Sequence, residues 1–257
     1  MILAVKKSSL IVVAVVLALC VLCGVFVNTQ TFATVYTNGS LRKIPVYGVD
    51  CGEEKLVALT FDAAWGADKT LKILEILEKY DVKATFFLVG FWLDKYPEET
   101  KAIAESGCDI GNHSKNHLEM SKISKEKIKE ELEYVNEKVE ELTGKKPAYF
   151  RPPFGDYDNE LIETAQSMGL QTVQWSVDSL DWKGLSATEI TSRVTKNVKN
   201  GSIVLFHNNS DNILEALPLV LANLINRGYK PVTLSELIYK DDYYIDNNGT
   251  QHKNKEV

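Results

Sequence analysis

Histidine is scarce in this chain, with four among 257 residues. Cysteine is equally rare, and two of its four occurrences, Cys20 and Cys23, lie inside an apolar run where a thiol is inert. Cys51 and Cys108 leave two alternatives open, one disulfide or two free thiols, and their spacing from the histidines does not match a zinc site of Cys/His type. Positive charge is also short. Lys and Arg number 29 against 35 Asp and Glu, a net charge of -6. That balance argues against nucleic acid as the main partner, because neutralising phosphates needs a basic surface. No Gly-x-Gly-x-x-Gly follows an apolar run, so nothing supports a dinucleotide site, and no repeat of solenoid period is present. The apolar and charged fractions, 45% and 25%, are ordinary for a globular chain with one sizeable core.

Composition departs from the ordinary at the start. Lys6-Lys7 precedes an uncharged run from Ser8 to Asn28, rich in Val and Leu, and roughly 20 such residues cross a bilayer. A secretory signal has a shorter apolar core and a small-x-small cleavage site, which Thr31-Phe32-Ala33 matches weakly. Leu19 stands ahead of Cys20 where lipid attachment would need a small residue. Residues 1–28 are therefore expected to be an uncleaved signal anchor. The chain would then be a single-pass cell-membrane protein, Lys6 and Lys7 cytoplasmic and the remainder extracellular; cleavage would make it secreted.

Residues 29–54 read as a polar linker and lead-in, with Asn38-Gly39 and Pro45 as turn signals. Residues 55–239 alternate short apolar runs with helical periodicity. Leu56–Phe61, Ala84–Gly90, Asp109–His113, Tyr149–Arg151, Thr172–Val177, Ser202–Phe206 and Lys230–Thr233 read as strands. Leu71–Tyr80, Pro97–Ser106, Ser124–Leu142, Leu161–Met168, Ala187–Lys199 and Ile213–Arg227 read as helices, and Leu234–Ile238 as a last turn. In the longest helix Ile128, Leu132, Val135, Val139 and Leu142 make one stripe, and the charges from Glu126 to Glu141 read as a solvated face. Residues 240–257 are polar and are expected to form a disordered tail. Roughly seven βα units predict an α/β fold with a parallel sheet, closed as a barrel rather than doubly wound.

His113 and His117 stand four apart and can project to one side of a turn to grip one metal ion. Asp62, His113, Arg151, Asp178 or Asp181, and His207 all fall at or just after strand ends, which meet at one rim of a barrel. Each also has a plainer reading. His207 can be a core histidine, Arg151 a structural ion-pair partner, and Trp65, Trp175 and Trp182 core rather than sugar platforms.

Five motifs in order resemble the polysaccharide deacetylases with a NodB homology domain, carbohydrate esterase family 4. They are Thr60-Phe61-Asp62, His113-Ser114-x-x-His117, Arg151-Pro152-Pro153-Phe154-Gly155, Asp178-Ser179-Leu180-Asp181-Trp182 and Ile203-Val204-Leu205-Phe206-His207. The resemblance spans about Leu56 to Ile238 and implies a distorted or incomplete (β/α) barrel. It implies removal of N- or O-acetyl groups from sugars with a divalent metal, usually zinc. In that scheme Asp62 is the general base, His113 and His117 are metal ligands, and His207 is the general acid. Arg151 holds Asp62, Asp181 orients His207, Leu205 walls the acetyl pocket, and Trp182 lines the sugar groove. The Phe154 backbone N–H helps to stabilise the oxyanion. These residue types suit the chemistry, since zinc can bring bound water from a pKa of about 15.7 to about 7 and histidine gives a proton near neutral pH.

One position departs from the family. Its first motif carries a second Asp directly after the base, completing an Asp-His-His triad, and here that residue is Ala63. Asp68 is a replacement ligand if the Ala63–Ala67 loop folds back, or otherwise an N-cap for the next helix. Small residues followed by Trp65-Gly66 resemble the sporulation-associated branch of the family. The expected function is a membrane-anchored, metal-dependent hydrolase that removes N-acetyl groups from a cell-surface glycan, foremost peptidoglycan. The alternatives are a catalytically weakened homologue that binds wall glycan, and a metal hydrolase of the same fold acting on a small non-sugar amide.

Overall fold

The computed structural model describes residues 42–254, so the expected anchor over residues 1–28 lies outside the described residues. Among the described residues no helix is long and apolar enough to cross a membrane. The strands are β1 (Gly48–Val49), β2 (Leu56–Ala63), β3 (Thr85–Leu88), β4 (Asp109–Asn112), β5 (Tyr149–Phe150), β6 (Gln171–Thr172), β7 (Val177–Asp178), β8 (Ser202–His207), β9 (Lys230–Val232), β10 (Tyr243–Ile245) and β11 (Thr250–Lys253). The helices are α1 (Thr70–Lys79), α2 (Gly90–Lys95), α3 (Pro97–Glu105), α4 (Lys125–Thr143), α5 (Asn159–Ser167), α6 (Ala187–Asn197), α7 (Ile213–Asn226) and α8 (Leu234–Leu237).

The sheet is built on β2, which is buried at every residue but its first, as a parallel strand covered on both faces must be. It pairs in parallel with β8 along one edge, and with β3 and β9 along the other. Side-chain alternation sorts its residues onto two faces. Val57, Leu59, Phe61 and Ala63 enter one apolar cluster, together with residues of α1, α2, α6 and α7. Ala58 enters a second cluster with Val46, Phe87, Tyr149, Val173 and Ile203, and Asp62 shares its parity. On the first face Phe61 stacks between Phe86 at 5.0 Å and Phe206 at 5.5 Å.

From β3 the sheet continues through β4, β5 and β6 in parallel. A parallel bridge between Val46 and Val173 then links β6 to the lead-in of β1, and β1 returns antiparallel onto β8. The ring is thus completed by two residues of β1 and one bridge, which is the distorted (β/α) barrel expected. Gly201 makes this crossing feasible. Its φ is +73°, and a Cβ there would sit 1.6 Å from the Val49 carbonyl oxygen.

Four expectations need correction. The lead-in is part of the domain, which begins at Arg42, because Val46 and Val49 are core residues. The strand expected over Thr172–Val177 is split, since after Val173 the chain leaves β5 to reach β8 at Val177. The six-residue helix α2 was too short for its periodicity to register. Last, residues 240–254 are no disordered tail. They form the β10–β11 hairpin, and β11 pairs in parallel with β1. Asp246 Oδ1 accepts from the Asn248 and Thr250 amides to build the turn. Buried Gln251 reads both the N–H and the carbonyl of Tyr239. These are backbone and amide interactions, invisible to an apolar pattern. Cys51 and Cys108 are free thiols.

Deleting residues 241–257 should therefore destabilise the domain by on the order of 2 kcal/mol, from the net worth of the lost hydrogen bonds. Thermal unfolding followed by circular dichroism checks this; an unchanged melting temperature would mean that the hairpin contributes nothing.

Candidate active site

Asp62 occupies the last position but one of β2, directly opposite His207 of β8. Arg151, the residue after β5, is fully buried. Its Nη1 donates to Asp62 Oδ1 at 2.7 Å and its Nη2 to the Gln174 carbonyl at 3.0 Å, while the guanidinium lies 4.2 Å from the Phe87 ring centroid. Burial opposes the Asp62 charge. The Arg151 guanidinium, helped by His113 and His207, more than offsets it and holds the carboxyl below its ordinary 3.8.

His113 continues β4, its N–H bonded to the Leu88 carbonyl at 3.1 Å. A carbonyl can only accept, so His113 Nδ1–H donates to Arg151 O at 2.7 Å. This leaves Nε2 facing Asp62 Oδ2 at 3.5 Å. The histidine loop then turns through positive φ at Ser114 (64°) and His117 (53°), conformations that cost about 1–3 kcal/mol each unless the surroundings impose them. They are imposed here. Asn112 Oδ1 takes the Ser114 amide at 2.9 Å and Ser114 Oγ takes the His117 amide at 2.9 Å. Glu131 of α4 takes both the amide and the side-chain NH₂ of Asn116 at 2.7 Å. Gly90 completes the seat, because a Cβ there would come within 2.8 Å of the Lys115 backbone.

The His117 ring lies edge-on to Phe154 (4.5 Å), His113 (5.0 Å) and Trp65 (5.3 Å). Burial, then the neighbouring His113, lowers its pKa to about 4, and burial lowers that of His113 as well, so both imidazoles of the loop favour the neutral form. His207 is set the other way. Asp181, buried, takes its Nδ1–H and its backbone N–H at 2.8 Å each. Burial opposes an imidazolium, but the Asp181 hydrogen bond and charge outweigh it and raise the His207 pKa above 6.5.

Asp62, His113, His117 and His207 line one cavity of about 570 Å³, with Leu205, Phe154 and Trp182 in its wall; Arg151 and Asp181 are buried behind it. Phe154 and Trp182 are 67% and 59% exposed, too open to be core. The cavity also takes in Asp178, Trp65 and Trp175, for which the sequence left two readings open, and Ala64 and Asn209, which it did not single out. Trp65, 59% exposed, is pinned through Gly66, whose carbonyl accepts from Trp92 Nε1 at 2.7 Å and Asn208 Nδ2 at 2.8 Å. Asp178 accepts the Leu180 amide at 2.8 Å. Glu131 is buried, unlike the other charges of its helix, and its place three after Ile128 and four before Val135 put it on the apolar stripe.

A three-ligand metal centre does not fit the side chains present. Among the described residues no three His, Cys, Asp or Glu groups are placed together to hold an ion. Ala63 is fully buried in the outer apolar cluster, and Asp68 is exposed on the turn before α1, outside the cavity lining. Nor does a side chain cap that helix, since its N-cap residue is Lys69. Catalytic zinc sites use three protein ligands, and here two imidazoles stand without the family's carboxylate.

The sequence profile described as polysaccharide deacetylase matches residues 50–173. A peptidoglycan-N-acetylglucosamine deacetylase of Bacillus cereus is 38% identical over 190 residues, 72% of this chain and 89% of that protein. The chain belongs to the polysaccharide deacetylase family. Within the family, the uncharacterised YlxY of Bacillus subtilis is 37% identical over 77% of this chain, which spans 62% of YlxY. A solved family 4 carbohydrate esterase pseudoenzyme of Bacillus anthracis is 32% identical, covering 84% of this chain and 74% of that one with a TM-score of 0.74. A mutant of it with restored enzymatic activity is 36% identical, covering 77% and 72%, with a TM-score of 0.73.

The raised His207 pKa implies stability that is fully present below 6.5 and lost as pH rises through the higher folded value. Asp181→Asn removes the group that offsets burial. Its His207 should titrate below 6.5, measured by NMR of the imidazole protons; an unmoved titration would sink the assignment of Asp181 as the cause.

Proposed function

We propose that this chain is a hydrolase that removes acetyl groups from N-acetylated amino sugars of peptidoglycan. The observation that carries the reading is the pairing of opposite proton roles across adjacent strands. Asp62 is kept ionised by Arg151, and His207 is disposed to protonation by Asp181. Asp62 takes a proton from water as its oxygen bonds to the acetyl carbon. The Phe154 amide donates to the developing oxyanion, a contribution of about 3 kcal/mol for one such donor. His207 gives its Nε2 proton to the sugar nitrogen as the C–N bond breaks, leaving acetate and a free amine. Leu205 walls the methyl and Trp182 offers a stacking face to the sugar. Zinc at His113 and His117 belongs to this reading, as do residues 1–28 as the anchor that keeps the domain outside the cell. The names of the peptidoglycan deacetylase relatives support the substrate class.

Ala63 favours a second reading, a wall-glycan binder with weakened catalysis, and the pseudoenzyme neighbours support it. Acetate release by the full chain, from peptidoglycan, chitooligosaccharides and small amides side by side, separates the readings. Hydrolysis of glycans above small amides is the expected outcome, falling by roughly a hundredfold or more in His207→Ala. Glycan binding without acetate release, with acetate appearing in Ala63→Asp, would establish the second reading; preference for small amides would overturn both. The rate should also fall on both sides of a plateau. At low pH Asp62 is protonated, below its ordinary 3.8, and at high pH His207 loses its proton, above 6.5.

A further inference from the structure

Two aromatic side chains at the cavity have no part in the proposed reaction. Trp65 is 59% exposed and Phe91 38%, and their ring centroids lie 6.4 Å apart. We infer that Trp65, Phe91 and Asn209 form a second sugar subsite, which holds a neighbouring unit of the glycan whose acetylated unit occupies the cavity. The inference rests on the reading of that cavity as a glycan site.

Single exposed apolar residues are ordinary, but adjoining ones at a cavity mark an interaction surface. Rings left in water forgo burial worth about 25 cal/mol per Å². Here they are also held still. Gly66 turns the chain through φ +64°, and its carbonyl accepts from Trp92 Nε1 at 2.7 Å and from Asn208 Nδ2 at 2.8 Å. Trp92 is fully buried and follows Phe91 directly on α2. One hydrogen bond therefore ties the turn that carries Trp65 to the helix that carries Phe91. The Phe91 amide donates in turn to the Lys115 carbonyl at 3.3 Å. A face ordered before its ligand arrives binds without the cost of ordering it.

The position of the face sets its occupant. Trp65 lines the cavity and Phe91 does not, so the face begins inside the cavity and continues past its wall. A ligand covering it is longer than the single unit whose amide is cleaved. β8 pairs with β2 along one edge and with β7 along the other. Trp65, after β2, and Trp182, after β7, thus come from strands on either side of the one that delivers His207. Polar groups accompany the rings. Asn209 lines the same cavity, and its Cβ lies 3.6 Å from where a Cβ on Gly66 would stand. Its side-chain amide and the Trp65 indole N–H have no hydrogen-bond partner among the described residues. A pyranose offers an apolar C–H face to stack and hydroxyls at its edge, and an aromatic ring with a polar tip meets both.

The test is calorimetric titration of N-acetylglucosamine dimer and tetramer into the full chain and its Trp65→Ala, Trp65→Phe and Phe91→Ala variants. The natural chain should bind the tetramer more tightly than the dimer. That gain should shrink by roughly tenfold in Trp65→Ala and roughly threefold in Phe91→Ala, the scale of single aromatic contacts. Trp65→Phe should restore most of it. A loss equal for dimer and tetramer would mean that Trp65 acts only within the cavity, and overturns the inference. A gain with length that the variants leave intact, no gain, or no binding of either oligomer overturns it as well. Acetate release from peptidoglycan in any of those cases leaves the deacetylase reading standing. A length-dependent loss in a chain that releases no acetate supports the inference and sinks the deacetylase reading. Should Trp65→Ala fail to fold, the indole Nε1–H resonance of Trp65 in the natural chain decides. A shift with the tetramer that the dimer does not produce supports the subsite; an equal shift with both, or none, overturns it.

Discussion

The Asp62–Arg151 ion pair is the interaction on which the rest of the site depends. Both groups are buried, and neither charge survives in an apolar interior without the other; breaking such a pair costs about 3–5 kcal/mol. The pair ties the end of β2 to the residue after β5, two strands that do not neighbour each other in the sheet. Through the Arg151 carbonyl it also fixes the ring of His113. One guanidinium and its own peptide therefore hold one carboxylate ionised and fix one histidine tautomer. That position admits arginine rather than lysine, because two separate nitrogens of one planar group are used.

Opposite proton affinities arise here although burial opposes the charged form of both groups. Asp62 and His207 lie opposite each other on neighbouring strands, yet each is tuned by a partner of opposite sign from a different segment, Arg151 after β5 and Asp181 after β7. Separating the tuning groups keeps the two titrations apart, as acid–base work in one cavity requires. The parallel register supplies the proximity, and the loops supply the difference.

Much of this was legible in the sequence, for reasons that differ by element. The buried run Leu56–Phe61 and the stripe on α4 announce themselves because burial and periodicity are written residue by residue. The polar groups at strand ends were legible because a parallel barrel gathers those ends at one rim. The closing of the barrel was not, since it depends on the Val46–Val173 bridge and a two-residue strand. The C-terminal hairpin was missed because its stabilisation runs through Gln251 and Asp246 rather than through apolar side chains. Glu131 was hidden in a charge-rich helix, although its position on the stripe was the available signal. Asp68 shows the reverse limit. A suitable residue type near the right motif lies on an exposed turn, because the chain beyond β2 is pinned through Gly66.

The sorting of β2 onto two faces has a consequence for how such a chain changes over time. Position 63 packs with the outer cluster, so an alanine there fills apolar space, whereas an acid must be desolvated or turned toward the cavity. Exchanging the acid for alanine is thus a change that folding selection favours or ignores and that only chemistry can oppose. Loss of a ligand at this strand end leaves no scar in the scaffold.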